Sequence, residues 1–373
     1  MKIERDCIFT CRALNEKEKR NLLMYDLLIK KGVISRAEIT KSTGINAVSV
    51  SHYVNNFIEK NMALEKGFDI STGGRKPELV ELNSESNYVI GIDIGKTEIR
   101  GASANIGLSI KVRKQMAIPS DREVPAAVIR LIEEIISATR IKASDVKAVG
   151  VGMSEPKFIQ IIDQIKKKTG IETFAGPSAA CAAFAEKRIN RGAETENMLY
   201  IYSDIGEGVV MHGDTYLSAS EDEKLLDGKL RYLRPWSEYL SIVESAKREV
   251  SRGVGTKIVS LARGNLNNIT REVVVAAAKS DDEVALSILL GIGINLGLRI
   301  AYLVNLFAPE VIVIGGGAQD AGDIVFMPVR KMVERLAYRD HLKNLKIIAS
   351  TLGEDAADIG AAFLAIREMF LKA

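Results

Sequence analysis

Three glycine-bearing turns, each after an apolar strand, are the first candidates for chemistry in this 373-residue chain. Asp93-Ile94-Gly95-Lys96-Thr97 closes an apolar run that starts at Tyr88. Ser203-Asp204-Ile205-Gly206-Glu207-Gly208 follows the run 198–202, and Gly315-Gly316-Gly317 follows the run from Val311. Glycines at strand ends let a backbone approach a ligand's flat face or its phosphates. One such turn is weak evidence, because a turn kept only for packing has the same composition. Three turns after three strands point together to a nucleotide-facing body. The acids at Asp204 and Glu207 oppose that, since Coulomb repulsion disfavours carboxylates facing phosphate.

A second set of residues suits nucleic acid. From Asn46 to about Lys60 the chain reads as a helix, with Asn46 as N-cap. Ala47, Val50, Val54, Phe57 and Ile58 recur at helical spacing and are the expected buried face. The opposite face carries Val48, Ser49, His52, Asn55 and Asn56, with Ala47 and Ser51 beside them. It is small, polar and almost free of acid, so it can lie close to base edges, where His, Ser and Asn donate or accept. A merely solvated face would carry more Lys and Glu.

The elements that must position this helix are legible around it. Residues 17–31 read as an amphipathic helix with Leu23, Met24, Leu27 and Leu28 on one face, stopped by Gly32. Ser35 and Glu38 fit a capping box that opens a short helix with Arg36 in its first turn, ended by Gly44. Ala63-Leu64-Glu65 and Leu79-Val80-Glu81-Leu82 read as two strands. The hairpin between them contains Gly73, Gly74, Arg75 and Lys76, two cations for a groove or for phosphates. Together these are a winged helix-turn-helix; a small helical docking module is the alternative. Charge agrees with the first reading. Residues 1–83 hold 14 Lys/Arg against 11 Asp/Glu and the rest holds 37 of each, so the whole net charge of +3 sits in this segment.

Composition excludes several other classes. The chain is 47% hydrophobic and 27% charged, within the globular range. No unbroken apolar run nears the roughly 18 residues of a membrane helix, and the charged N-terminus does not suit a signal peptide. Three cysteines make no disulfide framework, so a reducing cytoplasm is the expected compartment. Cys7 and Cys11 form a lone C-x-x-x-C without a second ligand pair, and no metal is expected there.

From Tyr88 onward strands and helices alternate, with a strand at 99–105, helix at 124–139, strand at 146–153 and long apolar helix at 283–307. Three segments give this pattern a family. Ser71-Thr72-Gly73-Gly74-Arg75-Lys76-Pro77 followed by Gly91-Ile92-Asp93-Ile94-Gly95-Lys96-Thr97 is the first. Ala308-Pro309-Glu310 running into Gly315-Gly316-Gly317 is the second, and the stretch from Leu352 through Asp355 and Asp358 to Ala362 is the third. The chain resembles the ROK family (repressors, open reading frames and kinases) from about residue 17 onward. The resemblance implies an α/β fold: a winged helix-turn-helix followed by two actin-like, ribonuclease H-like lobes with a central cleft. The implied domains are 1–84, a first lobe of 85–193 plus 355–373, and a second lobe of 194–354.

The departures from the family carry as much weight. Its kinases hold a catalytic aspartate in a run similar to ENDANAAALAE, where this chain has Gly176-Pro177-Ser178-Ala179-Ala180-Cys181-Ala182-Ala183. Ser178 stands in the aspartate's place, and a neutral hydroxyl cannot act as the carboxylate base for a sugar hydroxyl. The family's sugar motif E-x-G-H and zinc motif C-x-C-G-x-x-G-C are missing; residues 218–244 contain no Cys or His. The segment 153–176 is about half the family's usual length, and Lys96 replaces a usual glycine. The implied function is a DNA-binding regulator with a non-catalytic body, no cofactor and no zinc. Asp93, Gly95, Lys96, Thr97, Gly206, Gly208 and Gly315–Gly317 are vestiges of a nucleotide site. The implied partners are double-stranded operator DNA, a second copy of the chain and a carbohydrate-like effector, with no membrane. Two alternatives remain: an active sugar kinase using Glu155 or Asp163 as base, and an interaction scaffold that no longer reads DNA.

Overall fold

The computed structural model describes residues 9, 14–68, 78–95, 98–118, 120, 122–154, 159–189, 195–202, 206–211, 214–216 and 241–373. The N-terminal helices begin where side chains satisfy their first amides. α1 (Glu16–Lys31) opens on a capping box between Asn15 and Glu18. β1 (Ile34–Ser35) leads into α2 (Arg36–Thr43), which opens on the expected Ser35–Glu38 box and stops at Gly44 with φ of 70°. α3 (Ala47–Glu59) starts from Asn46, whose side chain accepts from the Ser49 amide. β2 (Ala63–Phe68) and β3 (Glu78–Leu82) complete a three-stranded sheet in the order β1-β3-β2. This is the winged helix-turn-helix arrangement. The wing residues Gly73, Gly74, Arg75 and Lys76 lie outside the described residues.

Two faces differ from expectation. In α1 the buried stripe is Glu18, Asn21, Met24, Tyr25 and Leu28, and Leu23 is exposed. At about 100° per residue, Leu23 sits roughly 100° from Met24 and roughly 140° from Leu28, off the stripe. In α3 the buried set is Val50, Tyr53, Val54 and Phe57, while Ala47 is exposed and Ile58 only half-buried. Tyr53 completes an i, i+3, i+4, i+7 set with Val50, Val54 and Phe57, and Ala47 lies in a first turn that projects past the packing surface.

The body contains the same sheet twice. β4 (Tyr88–Ile94), β5 (Glu98–Asn105), β6 (Ile110–Ala117), β7 (Val146–Met153) and β8 (Glu172–Pro177) form a sheet in the order β6-β5-β4-β7-β8. The first three strands are antiparallel, and β7 and β8 are added parallel to β4. α4 (Val124–Thr139) and α5 (Ile161–Thr169) are the crossovers, and α6 (Ser178–Ile189) follows β8. β9 (Met198–Tyr202), β10 (Gly206–Met211), β11 (Asp214–Tyr216), β12 (Val311–Gly315) and β13 (Lys346–Ala349) repeat the pattern as β11-β10-β9-β12-β13. Again three strands are antiparallel and two are parallel additions. This duplicated topology is the actin-like fold.

Helices α7 (Ile242–Ser251), α8 (Lys257–Leu261), α9 (Arg271–Lys279), α10 (Glu283–Phe307), α11 (Asp323–Leu336) and α12 (Arg339–Leu342) surround the second sheet. α10 is long and apolar enough to cross a membrane by composition, though the unbroken run expected of a spanning helix is interrupted by Asn295 and Arg299. Half of its apolar window is buried, with Leu289, Leu296 and Ile300 in the core beneath β12. α13 (Ala356–Leu371) ends the chain.

The chain divides into two compact units: Met1–Cys181 with Ala357–Ala373, and Ala182–Ala356. The division falls inside α6, where the sequence suggested 193/194, and the winged domain belongs to the first unit. Within that unit α13 presses directly on the sheet. A Cβ at Gly91 would lie 1.8 Å from the Asp358 carbonyl oxygen, and one at Gly150 would lie 2.0 Å from that of Ala361. Only glycine permits that approach.

Candidate nucleic-acid interface and the strand-end turns

The outward face of α3 is built by its own periodicity. With Val50, Tyr53, Val54 and Phe57 held in the core, Ala47, Val48, His52 and Asn55 are left in solvent, with Ser49, Ser51 and Asn56 half-exposed. Val48 is 81% exposed, an apolar side chain with nothing covering it. There is no acid in the first turn of the helix. The face thus presents hydroxyl, imidazole and amide groups around one apolar tip, which matches major-groove edges and thymine methyls.

Two of the residues expected at this interface are committed elsewhere. Ser35 is buried and tied to Glu38 in the capping box. Arg36 donates to Asn55 Oδ1 at 2.8 Å and to Glu65 Oε1 at 2.9 Å, and lies 3.8 Å from Glu78. Its guanidinium ties α2 to α3 and to the wing strands, and it aligns the Asn55 amide. Sequence spacing alone did not reveal this lattice, because its members are 19 and 29 residues apart.

At the end of β4, Asp93 is buried and accepts a 2.5 Å hydrogen bond from the Ser178 hydroxyl at the start of α6. Burial raises the Asp93 carboxyl to about 6, partly offset by the Ser178 bond and by Arg100. The hydroxyl at position 178 therefore spends its proton on Asp93. Cys181, one turn on, is also buried, and burial pushes its thiol well up.

Gly176 has a packing reason as well. A Cβ there would lie 2.6 Å from the Phe9 ring, which stacks on Phe174, and the Phe9 amide donates to the Ala175 carbonyl at 3.0 Å. Gly95 donates its amide to Glu98 in the β4–β5 hairpin. Lys96, Thr97 and Glu155 lie outside the described residues, as do Cys7 and Cys11; Asp163 is in the first turn of α5.

The second glycine turn corrects the sequence reading. Gly206 and Gly208 belong to strand β10, paired with Tyr202 and Tyr200, and residues 203–205 lie outside the described residues.

In the third turn, Gly316 and Gly317 take positive φ of 70° and 96°. The space over Gly317 is filled by the Arg271 guanidinium, 1.9 Å from where a Cβ would stand. Arg271 is anchored by Glu354, by Glu272 at 2.9 Å and by Asp320 at 3.5 Å. Gly315 faces the Tyr200 hydroxyl and Ser350, and Ser350 donates to the buried Glu186 at 2.5 Å. Nothing in the residue order marks Arg271 for this place. Among the described residues, no cluster of His, Cys, Asp or Glu could hold a metal ion.

A winged helix-turn-helix joined to a duplicated actin-like body, with no acid in the first turn of α3, defines a class of protein. The ROK family model matches residues 252–368. The xylose repressor of Caldicellulosiruptor bescii is 23% identical over 390 residues, covering 95% of this chain and 96% of the relative. The crystal structure of a ROK family transcriptional regulator, a homolog of the E. coli MLC protein, superposes with a TM-score of 0.74 at 20% identity, covering 95% of this chain and 98% of that one. A ROK family glucokinase from Streptomyces griseus, solved with glucose and AMPPNP, superposes with a TM-score of 0.60 at 22% identity, over 75% of this chain and 99% of that one. Along most of its length the chain resembles ROK family regulators.

Proposed function

We propose that this protein is a sequence-specific DNA-binding transcriptional repressor of carbohydrate-related genes, acting in the cytoplasm, with a body that does not phosphorylate sugars. The observation that carries the reading is the outward face of α3, which has no acid in its first turn, with Val48 uncovered and Ser49 and His52 beside it. The xylose repressor matches along nearly its whole length, winged domain included, whereas the glucokinase matches three quarters of the chain. In the body, Ser178 is neutral and already bonded to Asp93, so no base stands at that position. Arg271 fills the glycine turn with its own side chain, which favours a packing role there and no nucleotide cofactor. The effector class that fits a body of this descent is a carbohydrate.

Reading a palindrome requires two recognition helices about 34 Å apart, hence two copies of the chain. The surface best suited to pairing is on α10 and α11. Leu290, Ile294, Leu298, Tyr302 and Leu306 recur every four residues along α10, and Met327 of α11 adjoins them; Tyr302, Leu306 and Met327 are each more than half exposed. An apolar groove of about 740 Å³ runs between the two helices at Leu290, Ile294 and Met327. A ridge beside a groove on one face is self-complementary under a two-fold axis, and six large apolar groups together exceed the scattered exposures of a monomer.

The test pairs two measurements on the purified chain. Fluorescence anisotropy with its own upstream DNA should show specific binding whose affinity falls steeply with salt, because phosphate contacts dominate. A coupled assay with ATP, magnesium and a panel of hexoses, pentoses and N-acetylhexosamines should show no sugar-dependent ADP release. Release above a no-sugar control would overturn the non-catalytic body, and equal affinity for scrambled DNA would overturn the regulator.

A further inference from the structure

The C-terminal end of the recognition helix is held by the body at three separate points. First, the Phe370 ring of α13 is fully buried between two aromatic rings of the winged domain. Tyr25 of α1 stacks on it with centroids 4.1 Å apart and planes at 26°, and Phe57 of α3 meets it edge-on at 5.1 Å and 83°. The Tyr25 hydroxyl continues past the ring to donate to the Ile106 carbonyl, just after β5, at 2.9 Å.

Second, α3 ends in a left-handed residue, Asn61 with φ of 57°, whose carbonyl accepts from the side-chain amides of Asn83 at 3.1 Å and Asn87 at 2.7 Å. Both donors are buried and lie on the link between β3 and β4. Asn87 also gives its other amide hydrogen to the Asn83 carbonyl, and its own carbonyl takes the Ile106 amide. Third, Lys60 Nζ donates to the Lys372 carbonyl at 2.9 Å.

A flexibly tethered reading head needs none of this. A chain that only linked two domains would leave the helix end in solvent, where Asn61 would be capped by water and Tyr25, Phe57 and Phe370 would have no reason to be apolar. Instead the joint buries three large rings against one another and satisfies its polar groups internally, which is the organisation of a core. Phe370 is its centre, its ring meeting both Tyr25 of α1 and Phe57 of α3.

We propose that Phe370 is the positioning residue for DNA reading: it fixes the orientation of α3 on the first lobe and thereby sets the half-site spacing the protein accepts. The proposal rests on the regulator reading and adds a property that reading does not require. With the joint closed, two recognition helices in a dimer stand at one separation, so moving half-sites apart should be penalised. With the joint open, the heads swing and the penalty shrinks.

Two readouts on the full chain separate positioning from bulk stability. Phe370→Ala and the milder Phe370→Leu are compared with Leu131→Ala, which removes a buried side chain of α4 from a core cluster that does not include Tyr25, Phe57 or Phe370. Without DNA, hydrogen exchange at residues 57–62 should accelerate at least about tenfold in Phe370→Ala, less in Phe370→Leu, with β7 unchanged, and Leu131→Ala should show the reverse. With DNA, the probes are a palindrome selected by the parent from a random library and versions of it with one or two base pairs inserted at the centre. The parent and Leu131→Ala should lose at least about tenfold on the respaced sites, whereas Phe370→Ala should bind all spacings within about threefold of one another. Unchanged exchange at residues 57–62 in both Phe370 variants would overturn the clamp. Accelerated exchange with the parent's spacing preference intact would overturn the positioning role. Failure of the parent to bind any selected DNA would instead sink the regulator reading, and the clamp would still be decided by exchange.

Discussion

The outward face of α3 and the Asp93–Ser178 pair are both polar, and they spend their polarity in opposite ways. On α3 the side chains of Val48, Ser49 and His52 project into solvent with no carboxylate in the first turn. At the end of β4 the carboxylate and hydroxyl are fully buried and bonded to each other. The Gly315–Gly317 turn resembles the second case, since Arg271 and three carboxylates consume its polar capacity from within. Unspent hydrogen-bonding groups mark where a ligand is still expected, and mutually satisfied ones mark where packing has replaced it. In this molecule the first condition holds on the outward face of α3.

The largest effect that would sharpen this contrast is expected from Ser178→Asp. It places a second carboxyl against buried Asp93, and two carboxylates at hydrogen-bond distance cannot both ionise. Denaturant unfolding at pH 7 should show a loss of about 3–5 kcal/mol, the cost of an uncompensated buried charge. Sugar-dependent ADP release should stay absent, because one restored base leaves the proximity contribution missing. A variant as stable as the parent would mean that the pair is open to water.

Next in size is Ser49→Glu. An acid on the face of α3 should weaken specific DNA binding by at least about 100-fold, since like charge against phosphate costs several kcal/mol. An unchanged anisotropy midpoint would show that another surface meets the DNA.

Asp93→Asn should act in the opposite direction on stability. The folded carboxyl titrates near 6, above its unfolded value, so the folded state holds the extra proton between about pH 4 and pH 6. That contribution is present below pH 4 and is lost as pH rises through 6. At pH 7 the amide should gain on the order of 2–3 kcal/mol, and the gain should vanish near pH 4. A gain independent of pH would contradict the buried charge.

The smallest effect concerns Asn21, which is fully buried in α1 with neither side-chain atom hydrogen-bonded among the described residues. Asn21→Leu removes that desolvation cost and should raise the unfolding free energy by about 1 kcal/mol. A loss of similar size would reveal a partner for the amide.

Most of the elements were legible from periodicity and caps. The helix at 124–139, the strands at 146–153 and 198–202 and the long helix at 283–307 stand at the expected residues, because each combines a single apolar period with a clear stop signal. The face of α3 was legible for the same reason. What the residue order concealed is made of long-range pairings. Arg36 with Glu65, Arg271 with Glu354, and Phe370 between Tyr25 and Phe57 join residues 29 to more than 300 positions apart. Local spacing has no means of announcing them. The Gly206–Gly208 reading failed differently: glycines taken for a turn sit in a strand ladder, where backbone pairing rather than side-chain size sets their conformation.

DNA reading by α3 is tested most directly by selection of bound DNA from a random library by the parent and by His52→Ala, a residue that faces outward and carries no part of the core. The parent should enrich a palindrome, and His52→Ala should enrich one differing at symmetric positions in both half-sites. No enrichment by the parent, or an identical consensus from both proteins, would contradict it.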